Sequence, residues 1–436
     1  MPVVEIREVA AMNRASETRT TRPPIRPASP IGRLAGIDVL RALAILGMVW
    51  MHFRVTGWWS DLDGPAAPEL AWVNSLLGTR SRDLFFVLAG VTVALTTGGL
   101  HGSSGNRDRM RVLVRAGVLF VLAMVLGELG SWDAQILHFY AFWLVLLVPL
   151  TLLPARSLFP LAAVLAVTMP VVKIAATRGG WFEPDMETMM SLYEHGGFAL
   201  LAHPGDWLPL AQNIVFGASP TSQDTLSVLP FLVMGLALGR LDLRSDGVRR
   251  RLVALGAAVA AGAVAIGIVA TSVLDAGAAI AAVDDLPPAA ADAQTPWQLL
   301  VALDHPGPGT AQFSITETVA MGGIIATLLG TLLVLMDRPR WKPALRPMAA
   351  FGSMALTWYF AHFLVLSSGL FTTADGPVNR TVAAFAIAVV VASVPSLVLH
   401  RWARRGPLEW LQHTVIETVL PRTRTPHRGS PPVRSA

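Results

Sequence analysis

Apolar runs of about 18 to 22 residues, broken by polar stretches, recur along almost the whole chain, and they bound its fold more tightly than any other feature. A helix of that length crosses ~30 Å of hydrocarbon with its backbone hydrogen bonds made internally. Packing the same residues as a soluble domain would require a charged surface. Only 14% of the 436 residues are charged, against about 25% in ordinary soluble domains. The expected fold class is therefore all-α, a polytopic integral membrane helical bundle of about ten transmembrane helices. Candidate spans lie at 36–56, 84–100, 113–130, 135–153, 157–175, 226–240, 252–274, 314–336, 350–371 and 379–400.

The basic residues test this layout. With the spans threaded alternately and the N-terminus inside, most of the 34 lysines and arginines fall on inner segments. The exceptions are Arg41, inside a span, and Arg54, Arg80, Arg82, Lys173, Arg178 and Arg380. This bias satisfies the positive-inside rule and predicts that both termini are cytoplasmic. The long outer loops, 176–225 and 275–313, are acidic instead. The basic pI of about 10.3 thus reflects topology and anionic inner-leaflet lipid, and no nucleic-acid partner is expected. Residues 1–32 form an expected disordered basic cytoplasmic tail, 33–405 the transmembrane domain, and 406–436 an interfacial helix followed by a second disordered basic tail. Trp181, Trp207 and other tryptophans near the outer boundary suit an aromatic belt.

Ionisable residues inside spans are costly and mark function by default. The first span holds Asp38, Arg41 and His52. Eleven helical steps separate Arg41 from His52, three turns plus about 20°, so both share one face about 16 Å apart. One helix thereby offers a fixed cation at one depth and a titratable imidazole at another, an arrangement suited to a ligand with an anionic head and a buried reactive end. Arg80, Ser81, Arg82 and Asp83 are expected to cap the outer end of the second span. His138 and Tyr140 open the fourth, Glu317 lies in the first turn of the eighth, and His362 sits inside the ninth. Each of these side chains also has an ordinary role open to it, as an interface charge, a packing histidine or a helix-start carboxylate.

Walker A, strand-linked GxGxxG, HExxH and Gly-x-Ser-x-Gly patterns are all absent. Cysteine is absent too, which excludes a disulfide framework and thiolate metal ligation. The acidic loops lack calcium or zinc ligand spacing, so no metal site is expected.

The first span, GIDVLRALAILGMVWMHF, resembles the opening motif of the transmembrane acyltransferase superfamily. Its members include bacterial relatives of heparan-alpha-glucosaminide N-acetyltransferase, and the acyltransferase-three family with its Arg–ten residues–His signature, which Arg41 and His52 match. SRDLFFVLAGVTVAL (81–95), ILHFYAFWLVLL (136–147), LPFLVMGLALGRLDL (229–243), DHPGPGT (304–310), FGSMALTWYFAHFLVL (351–366) and GPLEWL (406–411) continue the resemblance in order. One departure is Ala42, where relatives usually carry Gly.

The resemblance implies acyl transfer from cytoplasmic acyl-coenzyme A to a hydroxyl or amine of a cell-envelope glycan, lipid or small molecule. It makes His52 the catalytic residue, as general base or acyl carrier, with Arg41 binding the donor's anion or orienting the histidine. Arg82, Asp83, His138, Tyr140, Glu317 and His362 complete the expected substrate-binding set. No permanently bound cofactor is implied, the location is the plasma membrane of a bacterial envelope, and a homo-oligomer is compatible. Two other classes stay open: a transporter or flippase with a buried His/Arg pathway, and a non-catalytic membrane scaffold.

Overall fold

The computed structural model describes residues 34–52, 68–101, 105–130, 132, 135–178, 181, 186–217, 224–273, 315–368, 389, 393–399 and 405–421. Its helices are α1 (Ala35–His52), α2 (Pro68–Thr96), α3 (Asn106–Glu128), α4 (Leu137–Leu150) and α5 (Ala155–Arg178). There follow α6 (Met186–Glu194), α7 (Ala199–Ala202), α8 (Trp207–Phe216), α9 (Thr225–Gly239) and α10 (Asp246–Val273). The last are α11 (Ile315–Asp337), α12 (Lys342–Gly352), α13 (Ala355–Ser367) and α14 (Pro407–Val419). No strand occurs among the described residues.

Among the described residues four helices, α3, α5, α10 and α11, are long and apolar enough to cross a membrane, and α12 with α13 make a fifth if their 65° bend is one broken span. Helices α4 and α9 are apolar but only 14 and 15 residues long. The expected tails at 1–32 and 422–436, and most of the expected span 379–400, lie outside the described residues.

Two expectations need correction. Arg80–Asp83 do not cap a helix end, because α2 begins at Pro68 and carries these residues in mid-helix, with Ser81, Arg82 and Asp83 buried. A run of charge suggests a terminus, yet a helix accepts buried charges that have partners, and Arg82 lies 3.6 Å from Asp83. The expected span 350–371 is not one rod. It breaks at Ser353–Met354, and α14 supplies what the break leaves open: Glu409 Oε1 accepts from the amides of Leu356 (2.7 Å) and Thr357 (3.2 Å), while Oε2 accepts from the Thr357 hydroxyl (2.6 Å). A carboxylate at a helix N-terminus satisfies orphan amides and suits the dipole.

The core forms where α2 crosses α9 and where α1 packs against α2, α11 and α12. Gly90 and Gly235 allow the first crossing: a Cβ at Gly90 would overlap the Leu232 carbonyl, and one at Gly235 the Val87 carbonyl. Buried Arg240, just past α9, donates to the carbonyls of Thr97 (2.9 Å), Gly99 (3.1 Å) and Thr151 (2.8 Å), gathering the C-terminal ends of α2 and α4 onto one cation. Lys173 of α5 is ion-paired to Asp224, the N-cap of α9, and donates to Ser227 at 3.0 Å.

These contacts set relative heights. Arg41 of α1 reaches Thr92 of α2, and Gly36 faces Leu332 and Leu333 of α11. Phe85, two turns before Thr92, stacks on Tyr359, one turn short of the His362 that meets His52. Helices α1 and α2 are therefore antiparallel. Eleven steps up α1 from Arg41 to His52 match eleven steps back along α2 to Ser81. Sixteen steps from Gly36 to His52 match sixteen back along α11 to Glu317, which lies in electrostatic reach of Asp83, Arg80 and Arg82. His52, Arg80–Asp83 and Glu317 thus share one level.

Candidate active site

His52 ends α1, and its Nδ1 lies 2.9 Å from Nε2 of His362 on α13, with the rings stacked at 20°. His362 Nδ1 faces the Trp358 carbonyl at 3.4 Å. A carbonyl oxygen only accepts, so that nitrogen carries the proton and His362 Nε2 is the acceptor. His52 must then donate from Nδ1, and its ring lone pair resides on Nε2. The hydrogen bonds run in one direction, from His52 through His362 to the backbone. This is how an orienting group fixes the tautomer of a basic histidine. Phe363 packs against both rings, with centroids 5.2 Å from His52 and 4.2 Å from His362.

Toward the Arg41 end lies an open-mouthed cleft. Arg41 and Arg115 give it two cations, Tyr140 and Tyr359 two phenols, and Leu88 and Leu356 apolar wall. Asp38 and Thr92 hold Arg41, at 2.8 and 2.9 Å, so this arginine is built into the protein face instead of snorkelling away. The Nε of Arg115 is buried without a hydrogen-bond partner among the described residues. Tyr359 is fixed by the Ile136 amide, which donates to its hydroxyl at 2.9 Å, and its ring stands edge-on to His362, 5.3 Å away. One aromatic thereby links the cleft wall to the histidine pair. Such a site suits an elongated ligand with an anionic portion at the arginines and its other end near His52.

Glu317 lies elsewhere, lining a second, smaller open-sided cavity with Arg80. The expected residues therefore fall into three places: Arg41 and Tyr140 in the cleft, His52 and His362 behind its Tyr359 wall, and Glu317 in the second cavity, with Arg82 and Asp83 in electrostatic reach. His138 joins none of them. It accepts at Nδ1 from the Gln135 amide (2.7 Å) and stacks on Trp132 at 4.4 Å, which makes it a packing histidine.

Sequence reasoning misses Arg115 and Tyr359. Arg115 falls in with the loop cations, although it follows Val112-Leu113-Val114 and so already lies in an apolar run. Tyr359 precedes His362 by three residues and shares its helix face, which is the signal that could have found it.

A second cluster imitates a Ser–His–Asp site. Ser191 donates to Asp206 Oδ1 (2.8 Å), and His195 Nδ1 donates to Asp206 Oδ2 (2.6 Å). Both the hydroxyl and the carboxylate lie at Nδ1 of His195, so its proton-accepting nitrogen faces away from Ser191. That arrangement cannot activate the hydroxyl. Among the described residues no group of three or more His, Asp or Glu side chains is set to hold a metal ion.

Comparison with curated proteins and with solved structures yields no match. A family model described as an acyltransferase domain, that of the acyltransferase-three family, matches residues 34–401, from α1 to past α13. Its reach covers the helices that build the cleft and the histidine pair, together with apolar helices of membrane-crossing length. The chain is therefore a membrane protein of the acyltransferase-three family.

Proposed function

We propose that this protein transfers an acyl group from acyl-coenzyme A, bound from the cytoplasmic side, to a hydroxyl or amine at the outer half of the membrane. The observation that carries the reading is the His52–His362 hydrogen bond beside Tyr359, a residue that lines the cleft containing Arg41 and Arg115. The arginines would bind the donor's phosphates by charge-assisted hydrogen bonds. The thioester would then lie beyond Tyr359, near His52.

In the reaction the acceptor oxygen or nitrogen attacks the thioester carbonyl as His52 Nε2 removes its proton. The new C–O or C–N bond forms, the C–S bond breaks, and the proton passes to the departing thiolate, which leaves as coenzyme A thiol. His362 is a positioning residue that holds His52 in the basic tautomer; its expected substrate-binding role is replaced by this one. The bundle sits with both termini cytoplasmic in a plasma membrane, as the inner basic segments favour, and α14 lies at the inner interface with Trp410 and Leu411 exposed.

Replacing His52 by Ala in the full-length protein, with radiolabelled acetyl-coenzyme A supplied to membranes, tests the reading. The expected result is loss of acyl transfer at unchanged protein level and membrane insertion. Undiminished transfer would refute it.

A further inference from the structure

The second cavity has a polar end and an apolar wall. Arg80 of α2 meets Thr316 and Glu317 of α11 at one end, and Ala320 and Ile324 of α11 with Val264 of α10 continue it away from that end. From Thr316 to Ile324 the lining spans about 12 Å of helix. It lies between α10 and α11, next to the tight contact of Gly323 with Ala260. On α10, Val264 (39% exposed), Ile266 (63%), Ile268 (54%) and Val269 (59%) turn outward, on a helix that passes as a membrane span. Val264 and Ile268 share one helix face, and exposed apolar residues of a membrane-crossing helix face hydrocarbon. The polar end is level with His52, by the register that matches Gly36 with Leu333.

From this geometry we infer that the acceptor is an amphiphile, a hydroxyl- or amine-bearing head on an alkyl chain, entering sideways from the bilayer between α10 and α11. The head lies against Arg80, Thr316 and Glu317, where the carboxylate accepts from its O–H or N–H and the guanidinium donates to its oxygens. The chain lies along Ala320, Ile324 and Val264, where it exchanges contacts with lipid tails for van der Waals contacts with the wall. A water-soluble sugar gains nothing from that wall. The inference rests on the proposed acyl transfer for the fate of the head group, and on the cavity alone for binding of the chain.

The test uses full-length protein in nanodiscs and a dodecanol analogue carrying a diazirine and an alkyne. Photolabelling is expected on peptides containing Ala320–Ile324 or Ala263–Val264. It should be saturable by unlabelled dodecanol, and it should fall about tenfold in Ala320→Trp, corresponding to about 1.4 kcal/mol of lost binding. Labelling that neither saturates nor responds to the substitution overturns the inference. Competition in the unsubstituted protein decides the matter even if Ala320→Trp fails to fold. In parallel, label from [14C]acetyl-coenzyme A and a total lipid extract should enter the organic phase. His52-dependent transfer only to water-soluble material, indifferent to Ala320→Trp, sinks the amphiphile and leaves acyl transfer standing. Saturable labelling without any His52-dependent transfer sinks the reaction and leaves the lipid site.

Discussion

His52 and His362, 310 residues apart in the chain, are joined by a 2.9 Å hydrogen bond in which His52 Nδ1 donates and His362 Nε2 accepts. The bond ties the end of α1 to the middle of α13 and decides which nitrogen of His52 is basic. If His362 orients and does not touch substrate, His362→Ala should lower kcat about 100-fold with little change in KM for the donor. His362→Gln keeps an oxygen that can accept from Nδ1 and should recover much of that loss. Equal effects of both substitutions on KM would instead make His362 a substrate contact.

Arg115 brings to the cleft shared with Arg41 a buried Nε that has no hydrogen-bond partner among the described residues. Arg115→Gln should raise KM for acyl-coenzyme A about 10- to 100-fold and leave kcat nearly intact, the loss of one charge-assisted interaction. Rising salt should weaken donor binding in the parent protein more than in the variant. Steady-state kinetics at two ionic strengths would show it.

The α2–α9 crossing has no room for a side chain at Gly235. Gly235→Ala should cost about 1–3 kcal/mol as the helices are pushed apart, with a lower Tm in detergent. Because the added methyl meets backbone carbonyl and not a flexible side chain, Gly235→Ser should do no better.

Asp206, between α7 and α8, is pushed up by burial, but hydrogen bonds from Ser191 and His195 and the nearby His203 outweigh this and hold its carboxyl below the ordinary 3.8. A carboxyl lowered in the folded state stabilises that state above its unfolded pKa and stops doing so as pH falls through the folded value. The α6–α8 segment should therefore keep its structure to below about pH 4 and then loosen. In Asp206→Asn the acid step should vanish, with the segment already weaker at neutral pH. Limited proteolysis across an acid series reads both.

Much of the first helix is legible in the sequence, because Arg41 and His52 recur at a spacing that helix geometry converts directly into one shared face. The helical class is legible for the same kind of reason, since apolar run length has few other solutions. What stays hidden depends on partners distant in sequence. Arg80–Asp83 read as a helix end because nothing local reveals that Glu317 lies level with them. His138 reads as a site residue because Gln135, which takes its ring nitrogen, is an unremarkable neighbour until the turn before α4 is folded. The break at Ser353–Met354 carries no proline at the breaking residues, and its stabilising carboxylate comes from Glu409, more than fifty positions onward.

That last contact gives the C-terminal helix a meaning for anyone expressing the protein. Glu409 is the plug on the amide end of the rod that carries both Tyr359 and His362. Removing everything after residue 405 strips three donors, the Leu356 and Thr357 amides and the Thr357 hydroxyl, of their acceptor at the rim of the cleft, while leaving α3, α5, α10 and α11 intact. A shortened version should still enter the bilayer and accumulate, yet behave as a catalyst whose second histidine has lost its footing.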